Sequence, residues 1–250
     1  MTGSTSDPSI GRACALRLAQ EGASIVVNGR SAEAVAETEK ALMNDGHNVV
    51  GVVGSADDDD APARLVDAAV SNFGRIDHLV NTVGGSPFIG PPLELDRDGL
   101  LAAVALNIWP GVALIQEAMR HGLADGGGSV VNISSGTVHK TTPSMVSYKA
   151  AKSALDAVTK TFARDLGPMG VRVNGVAPGL TRTSATRAIW DYGEAEAKVS
   201  VLRSVTEADD IAGAVVYLLS DDARQVTGVI IDVDGGNHLL GGGTSPYAAK

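Results

Sequence analysis

The sequence predicts an α/β fold, a single doubly wound parallel sheet with helices on both faces. Short Val- and Ile-rich runs alternate with longer helical patterns, and most of these runs are continuously apolar, as in strands buried on both faces. No repeat, low-complexity block or linker divides the chain. We therefore expect one domain over residues 1–250, a length that allows a sizeable core.

The apolar runs predict six strands, at residues 24–28, 48–53, 76–80, 129–133, 171–176 and 229–233. Helical patterns between them cover residues 11–21, 32–45, 62–73, 99–121, 147–166 and 207–219. Thr206, followed three residues later by Asp209, predicts the cap of the last helix, and the acidic run 57–60 predicts a solvated loop. A sheet of this class binds ligands at the carboxyl ends of its strands.

The beginning of the chain departs from this pattern. Such a sheet opens with an apolar strand before its first glycine turn, whereas this chain starts Met1-Thr2-Gly3. The first, central strand is therefore predicted to be truncated to a stub. Either the true start lies upstream or the sheet tolerates a gap, and we favour the first explanation.

Composition excludes several classes of function. With a net charge of -9, the chain lacks the excess of positive charge that is typical of nucleic-acid-binding proteins, and binding to an acidic membrane surface is not favoured either. Cys14 is the only cysteine, so no intrachain disulfide can form, and we expect no metal site. The apolar stretch 214–219, taken as the longest, is far shorter than the ~20 residues that span a bilayer, and Met1 opens no leader peptide. A cytoplasmic location is expected.

Four polar residues are candidates for chemistry. Tyr148 and Lys152 are four apart on a predicted helix, where a neighbouring ammonium lowers the pKa of a phenol; a surface pair is the alternative. Ser135 follows the strand 129–133 and can hydrogen-bond a carbonyl oxygen as charge develops on it, whereas Ser134 is expected to be a turn or cap residue. Asn107 precedes Pro110 in a helix, which favours a kink with a buried amide and a water site, or a plain kink.

These residues resemble the short-chain dehydrogenase/reductase family, in particular its 3-oxoacyl-thioester and ketone reductases. The family's Asn-Ser-Tyr-Lys tetrad is matched by Asn107, Ser135, Tyr148 and Lys152. Its Asp-x-Leu-Val-Asn-Asn-Ala-Gly, Pro-Gly and Asp-Gly-Gly motifs are matched by residues 77–84, 173–179 and 234–236. The similarity covers almost the whole chain and implies a Rossmann-like fold.

The resemblance implies hydride transfer between a nicotinamide cofactor and a carbonyl or alcohol carbon. Tyr148 would donate or accept the proton, and Ser135 would hold the substrate oxygen. Lys152 would lower the pKa of Tyr148 and bind the nicotinamide ribose, while Asn107 would support a water relay. The implied cofactor contacts are Gly3, Ser9, Ile10, Arg30, Asn81, Gly84, Tyr148, Lys152, Gly179, Thr181 and Thr183. A homotetramer or homodimer joined through helices 99–121 and 147–166 is also implied.

The first loop departs from the family pattern, because it is two residues longer and has Ser9 in place of the middle glycine. Ser9 or Asp7 could cap the following helix, with Asp7 facing away from the cofactor phosphates. The long loop resembles enoyl-acyl-carrier-protein reductases, but their Tyr and Lys are seven residues apart, and Leu155 stands at that distance from Tyr148. The spacing of four therefore favours carbonyl or alcohol chemistry.

The end of the strand 24–28 favours NADP as the cofactor, with NAD as the alternative. An acid there would bind the ribose 2′-hydroxyl of NAD, but Gly29 occupies that position and is followed by Arg30, which suits the 2′-phosphate of NADP. Near the adenine, Ser55-Ala56 replaces the family's Asp-Val and removes one acceptor.

Two rival hypotheses stay open: an NAD-dependent alcohol dehydrogenase of the same family, and a catalytically idle nucleotide-binding or scaffold protein. Residues 180–200, which cover the substrate in this family, mix aromatic and charged side chains and identify no ligand. Arg120 could serve a carrier-protein substrate.

Overall fold

The computed structural model describes residues 1–140 and 142–240, and its core is built from parallel strands. In chain order, its strands are β1 (Ile25–Gly29), β2 (Val49–Val53), β3 (His78–Asn81), β4 (Ser129–Ile133), β5 (Arg172–Pro178), β6 (Thr181–Arg182), β7 (Thr206–Glu207) and β8 (Ile230–Val233). β1 pairs with β2, and β3, β4, β5 and β8 form a second ladder in that order. β6 and β7 form a small ladder of their own, and all the described pairs are parallel.

Helices cover both faces of the sheet. They are α1 (Ile10–Gln20), α2 (Ala32–Asn44), α3 (Ala61–Phe73), α4 (Arg97–Arg120), α5 (Val146–Leu166), α6 (Trp190–Val199) and α7 (Ala208–Leu219). α1 packs against α7 on one face, and α4 packs against α3 and α5 on the other. One core cluster includes Val27, Val131 and Ile211, and the other includes Val130 and Ile115. The doubly wound arrangement predicted from the apolar runs is thus confirmed.

The six predicted strands and six predicted helices are present, with bounds that shift by two residues at most. The cap of α7 was predicted one residue too early: the Glu207 backbone N–H donates to the Asp210 carboxylate over 2.8 Å, and the Glu207 side chain accepts in return. α6 was not predicted. The acidic run 57–60 is exposed and leads into α3, as expected.

α4 shows that the prediction of the longest apolar segment, residues 214–219, was wrong. It has a mean hydropathy of 1.6 over 18 residues, so by length and composition alone it could cross a membrane. Residues 214–219 are therefore not the longest apolar stretch. The packing of α4 against α3 and α5 is that of a helix in a folded α/β domain.

Residues 1–4 lie between β1 and β3 and form no strand in the described part of the chain. In the described chain β1 and β3 do not pair directly, and residues 1–4 hydrogen-bond to both strands. The Met1 nitrogen donates to the Val26 carbonyl (2.9 Å) and the Thr2 N–H donates to the Val80 carbonyl (3.2 Å).

Candidate active site

The amino-terminal turns of α5 carry Tyr148 and Lys152 on one face, beside the carboxyl end of β4. The Lys152 Nζ donates to the Ile133 carbonyl over 2.8 Å and lies 5.8 Å from the centroid of the Tyr148 ring. Lys152 is almost fully buried, at 2% exposure. These contacts fix α5 against the last residue of β4, so the pair is part of a built site and is not the surface pair considered as the alternative.

Ser135 brings a second hydroxyl to Tyr148. It is buried, it begins the short 3-10 helix Gly136–Val138, and its Oγ accepts from the Thr137 Oγ1 over 3.0 Å. Ser135 also lies near enough to the Tyr148 hydroxyl to lower its pKa. Ser134 points elsewhere and donates to the Asp156 carboxylate, so it ties the end of β4 to α5 and does not cap a helix as expected.

Burial dominates the electrostatics of this pair. It raises the pKa of Tyr148, and the nearby Ser135 hydroxyl opposes the rise only in part. The expected lowering by Lys152 is not seen, because the ammonium lies against the ring face and bonds to the Ile133 carbonyl. Burial lowers the pKa of Lys152 itself to about 8, with Asp156 acting in the opposite direction. Lys152 is therefore mostly charged at pH 7.

Asn107 is the buried amide that the sequence predicted, and it holds the loop after β3. Its Nδ2 donates to the Gly85 and Ala103 carbonyls, both over 2.8 Å, and its Oδ1 accepts from the Gly85 N–H over 3.1 Å. A Cβ at Gly84 would lie 2.6 Å from the Asn107 Oδ1 and 2.8 Å from the Lys152 Nζ. Asn107 and Lys152 thus contact the same glycine, which brings the tetrad together at the carboxyl ends of β3 and β4.

The first loop forms a tight turn against the start of α1. Ser9 is the N-cap, and its Oγ accepts from the Arg12 N–H over 3.1 Å, while Asp7 is exposed. Gly3 adopts a φ of 57°, and a Cβ at Gly11 would lie 2.3 Å from the Gly3 carbonyl oxygen. The loop therefore lies close to the amino end of α1, which starts at Ile10, where backbone N–H groups favour an anion.

A contact that the sequence analysis missed lies beside the residues that select the cofactor. A Cβ at Gly29 would lie 1.9 Å from the Thr5 Oγ1, so no larger side chain fits there without moving the loop. Arg30, the next residue, is exposed at the end of β1. The only sequence signal for this contact was the two extra residues of the loop.

Asn81 provides a test of whether the site fits a nucleotide cofactor. Its Nδ2 donates to the Asn132 Oδ1 over 2.8 Å, whereas its buried Oδ1 has no hydrogen-bond partner among the described residues. An unsatisfied buried acceptor at the end of β3 suits a donor from a bound ligand. The capped α1, Arg30 and the Lys152 ammonium complete a set of residues that fits the cofactor.

The segment after β5 closes the site against the first loop. Thr181 is buried and donates to the Gly179 carbonyl over 3.0 Å, and Thr183 precedes Ser184, whose N–H donates to the Pro8 carbonyl over 2.8 Å. Trp190 at the start of α6 donates to the Thr183 carbonyl over 3.1 Å. The expected contact residues Gly179, Thr181 and Thr183 are thus held beside the loop 3–11.

A Tyr–Lys–Ser–Asn set at the carboxyl ends of a doubly wound sheet, with the lysine, serine and asparagine buried and a capped helix start next to it, is typical of a nucleotide-dependent oxidoreductase. The family model described as enoyl-(acyl carrier protein) reductase matches residues 3–238. The chain is 36% identical over 233 residues to the human dehydrogenase/reductase SDR family member 4, covering 91% of this chain and 83% of that protein. It is 37% identical to an uncharacterized oxidoreductase of Methylorubrum extorquens, covering 91% and 92%.

Solved structures agree with these relatives. A short-chain type dehydrogenase/reductase from Mycobacterium ulcerans superposes with a TM-score of 0.88 at 34% identity, covering 95% of this chain and 88% of that one. A gluconate 5-dehydrogenase from Burkholderia cenocepacia, in complex with NADP and tartrate, has a TM-score of 0.87 at 28% identity, covering 96% and 94%. The chain belongs to the short-chain dehydrogenase/reductase family. It is an NAD(P)-dependent oxidoreductase that acts on CH–OH or C=O groups.

Proposed function

We propose that this protein is an NADP-preferring reductase of carbonyl compounds in which Tyr148 donates the proton. The observation that carries the proposal is that Ser135 lies near enough to the half-buried Tyr148 to lower the pKa of its hydroxyl, with Lys152 buried beside the tyrosine ring. Two hydroxyls so placed can both donate a hydrogen bond to one carbonyl oxygen atom. Reduction of a carbonyl requires such contacts, because negative charge develops on that oxygen. A 3-oxoacyl thioester or a small ketone is the proposed substrate.

Ser135 and Tyr148 have separate roles in the reaction. The Ser135 hydroxyl binds the carbonyl oxygen and stabilises the negative charge that develops on it. The Tyr148 hydroxyl donates its proton to that oxygen, so the product leaves as a neutral alcohol. When bound, the nicotinamide cofactor supplies the hydride.

Lys152 acts on the tyrosine and on the cofactor. Because burial raises the pKa of Tyr148, its hydroxyl carries the proton to be donated at pH 7, and the Lys152 ammonium lies 5.8 Å from the centroid of the tyrosine ring, where it helps to hold the ring in place. The same ammonium would bind the nicotinamide ribose. Asn107 keeps the Gly84–Gly85 loop in place against Lys152, and a water relay beside Asn107 would return the proton from solvent.

The cofactor preference rests on the end of β1. Thr5 fills the space that a side chain at position 29 would need, so the acidic residue that binds the 2′-hydroxyl of NAD is excluded on steric grounds. The exposed Arg30 guanidinium remains to bind a 2′-phosphate. NADP bound to the gluconate 5-dehydrogenase, a neighbour of similar fold, agrees with this choice.

The test is to follow oxidation of NADPH and of NADH over a panel of aldehydes, ketones and 3-oxoacyl thioesters, with 2-enoyl thioesters as the control class. We expect turnover with NADPH on a ketone or 3-oxoacyl class and none on the enoyl class. Faster turnover with NADH would favour the NAD-dependent rival. Cofactor binding without turnover on any class would favour the idle nucleotide-binding protein.

We also propose a cytoplasmic homotetramer or homodimer assembled through α4 and α5. Leu101, Val104 and Trp109 on α4 are exposed by 50%, 37% and 54%, an apolar surface that a second copy would cover. Light scattering at several concentrations measures the mass, and a monomer throughout would contradict the assembly.

A further inference from the structure

Two histidines and two aspartates meet at the carboxyl end of β8, outside the tetrad. Asp232 belongs to β8, and Asp234 and His238 follow it in the chain. His139 comes from the turn after β4, 93 residues away from Asp232, and its Nδ1–H donates to the Asp232 Oδ1 over 2.5 Å. The rings of His139 and His238 lie edge to face, with their centroids 6.5 Å apart. Two distant segments thus bring imidazoles and carboxylates together, and both groups are common metal ligands.

Asp234 contributes a buried carboxylate that is held in place. Its side chain is exposed by only 4%. One oxygen accepts from the Gly236 N–H over 2.9 Å, and the other accepts from the His238 N–H over 2.7 Å and lies 2.9 Å from the His238 Nδ1. A Cβ at Gly179 would lie 2.8 Å from the Asp234 Cβ, so the segment after β5 packs against this side chain. The carboxylate therefore cannot turn out into solvent.

The two carboxylates of this cluster lack a fixed positive partner. In the described part of the chain their ion pairs are to His139 and His238, and to no lysine or arginine. The neighbouring Lys140 bonds instead to Glu196 over 2.7 Å and to Asn237 over 3.0 Å. Buried carboxylates are as a rule paired with a cationic side chain or bound to a metal. A divalent cation would supply the missing charge.

The donor atoms are spaced for a single ion. One atom each from Asp232, Asp234 and His238 lies within 4.8 Å of the other two. Ligand atoms at about 2.1 Å from a tetrahedral Zn²⁺ are about 3.4 Å apart, so a closure of roughly 1 Å brings the three side chains onto one ion. His139 occupies the Asp232 Oδ1, and the Asp232 Oδ2 lies 4.0 Å from the His238 Nε2.

We propose that Asp232, Asp234 and His238 bind one divalent cation of the zinc class. His139 is a positioning residue, because its Nδ1–H holds the Asp232 carboxylate in place. The mixed nitrogen and oxygen set favours Zn²⁺ over Mg²⁺, which takes oxygen ligands. The bound ion ties the end of β8 to the turn that begins at Ser135. The proposal replaces the expectation of no metal site, which rested on the single cysteine, and it does not depend on the proposed function.

The first test is calorimetric titration of the full chain, free of any polyhistidine tag, with Zn²⁺ and with Mg²⁺. We expect one Zn²⁺ per chain, with a Kd at least roughly tenfold lower than that for Mg²⁺. Zn²⁺ at about a hundredfold excess over Kd should raise Tm by roughly 5–10 °C.

Single substitutions separate the ligands from the positioning residue. His139→Gln should weaken Zn²⁺ binding by roughly tenfold to a hundredfold, the usual effect of losing the partner of a ligand. Asp232→Asn and His238→Gln should each weaken it more than His139→Gln does, because a ligand itself is lost. His47→Gln, at a half-buried histidine outside the cluster, should bind Zn²⁺ as the parent does.

The nitrogen resonances of the imidazoles give a readout that needs no variant. The chain has five histidines, and Zn²⁺ should shift the resonances of His238 most, those of His139 less and those of His47 not at all. No saturable Zn²⁺ binding by the parent, or unchanged His238 resonances at saturating Zn²⁺, would overturn the proposal. Binding by His238→Gln with the Kd of the parent would also overturn it. Turnover is not measured, so failure here leaves the proposed function untouched.

Discussion

The buried ammonium of Lys152 destabilises the fold, and replacing Lys152 with Met should reveal by how much. Burial lowers its pKa from 10.5 to about 8, a difference worth about 3 kcal/mol at pH 7. The substitution also removes the hydrogen bond to the Ile133 carbonyl, which offsets about 1–2 kcal/mol. We therefore expect Lys152→Met to be more stable by about 1–2 kcal/mol, with Tm higher by roughly 2–8 °C.

The pH dependence identifies the cause. The unfolded chain binds the Lys152 proton more tightly than the folded chain, so the parent gains stability as the pH rises from about 8 towards 10.5. The advantage of Lys152→Met in urea unfolding should thus be full at pH 7 and shrink by pH 10, while turnover is lost at both. Lys160→Met, an exposed position on the same helix, should show neither effect. A Lys152→Met variant that is less stable than the parent at pH 7 would refute the reasoning.

Two further predictions concern the cofactor. Arg30→Ala should lower the preference for NADPH over NADH roughly tenfold to a hundredfold, because a charge-assisted hydrogen bond to the 2′-phosphate is lost. The control Arg17→Ala should keep the preference of the parent. If Arg30→Ala keeps it too, Arg30 does not bind the 2′-phosphate. Gly29→Asp alone should weaken binding of both cofactors, since its Cβ meets the Thr5 Oγ1 at 1.9 Å, and Thr5→Gly in the same chain should restore NADH binding. Tight NADH binding by Gly29→Asp alone, measured by fluorescence titration, would disprove the steric argument.

Local patterns predicted much of this molecule. The strand 129–133 could be predicted because Val and Ile fill most of a run that is buried along its whole length, and the strand 48–53 because valine pairs stand on both sides of Gly51. That Tyr148 and Lys152 share one face of a helix could be predicted, because a spacing of four residues places two side chains on the same face whatever surrounds the helix. The position of Ser135 followed from the rule that strands of a doubly wound sheet carry ligands at their carboxyl ends.

The remaining features depend on contacts that no local pattern encodes. α6 has no apolar stripe, and Ala197 is its only described buried side chain, so nothing in the sequence of residues 190–199 indicated a helix. Whether the pKa of Tyr148 is raised or lowered depends on how far distant segments of the chain bury the tyrosine. The contact between Thr5 and Gly29 joins a loop to a strand end, and only the folded backbone reveals that the two residues compete for one space.

The central claim, that Tyr148 donates the proton, is tested most directly by single-turnover hydride transfer in Tyr148→Phe. The ring remains and only the hydroxyl is lost, so NADPH binding and Tm should stay near the parent values. Hydride transfer should fall by about 10²–10⁴-fold, the contribution of a general acid. Tyr217→Phe, at an exposed tyrosine on α7, should react at the parent rate. An unchanged rate in Tyr148→Phe would contradict the account.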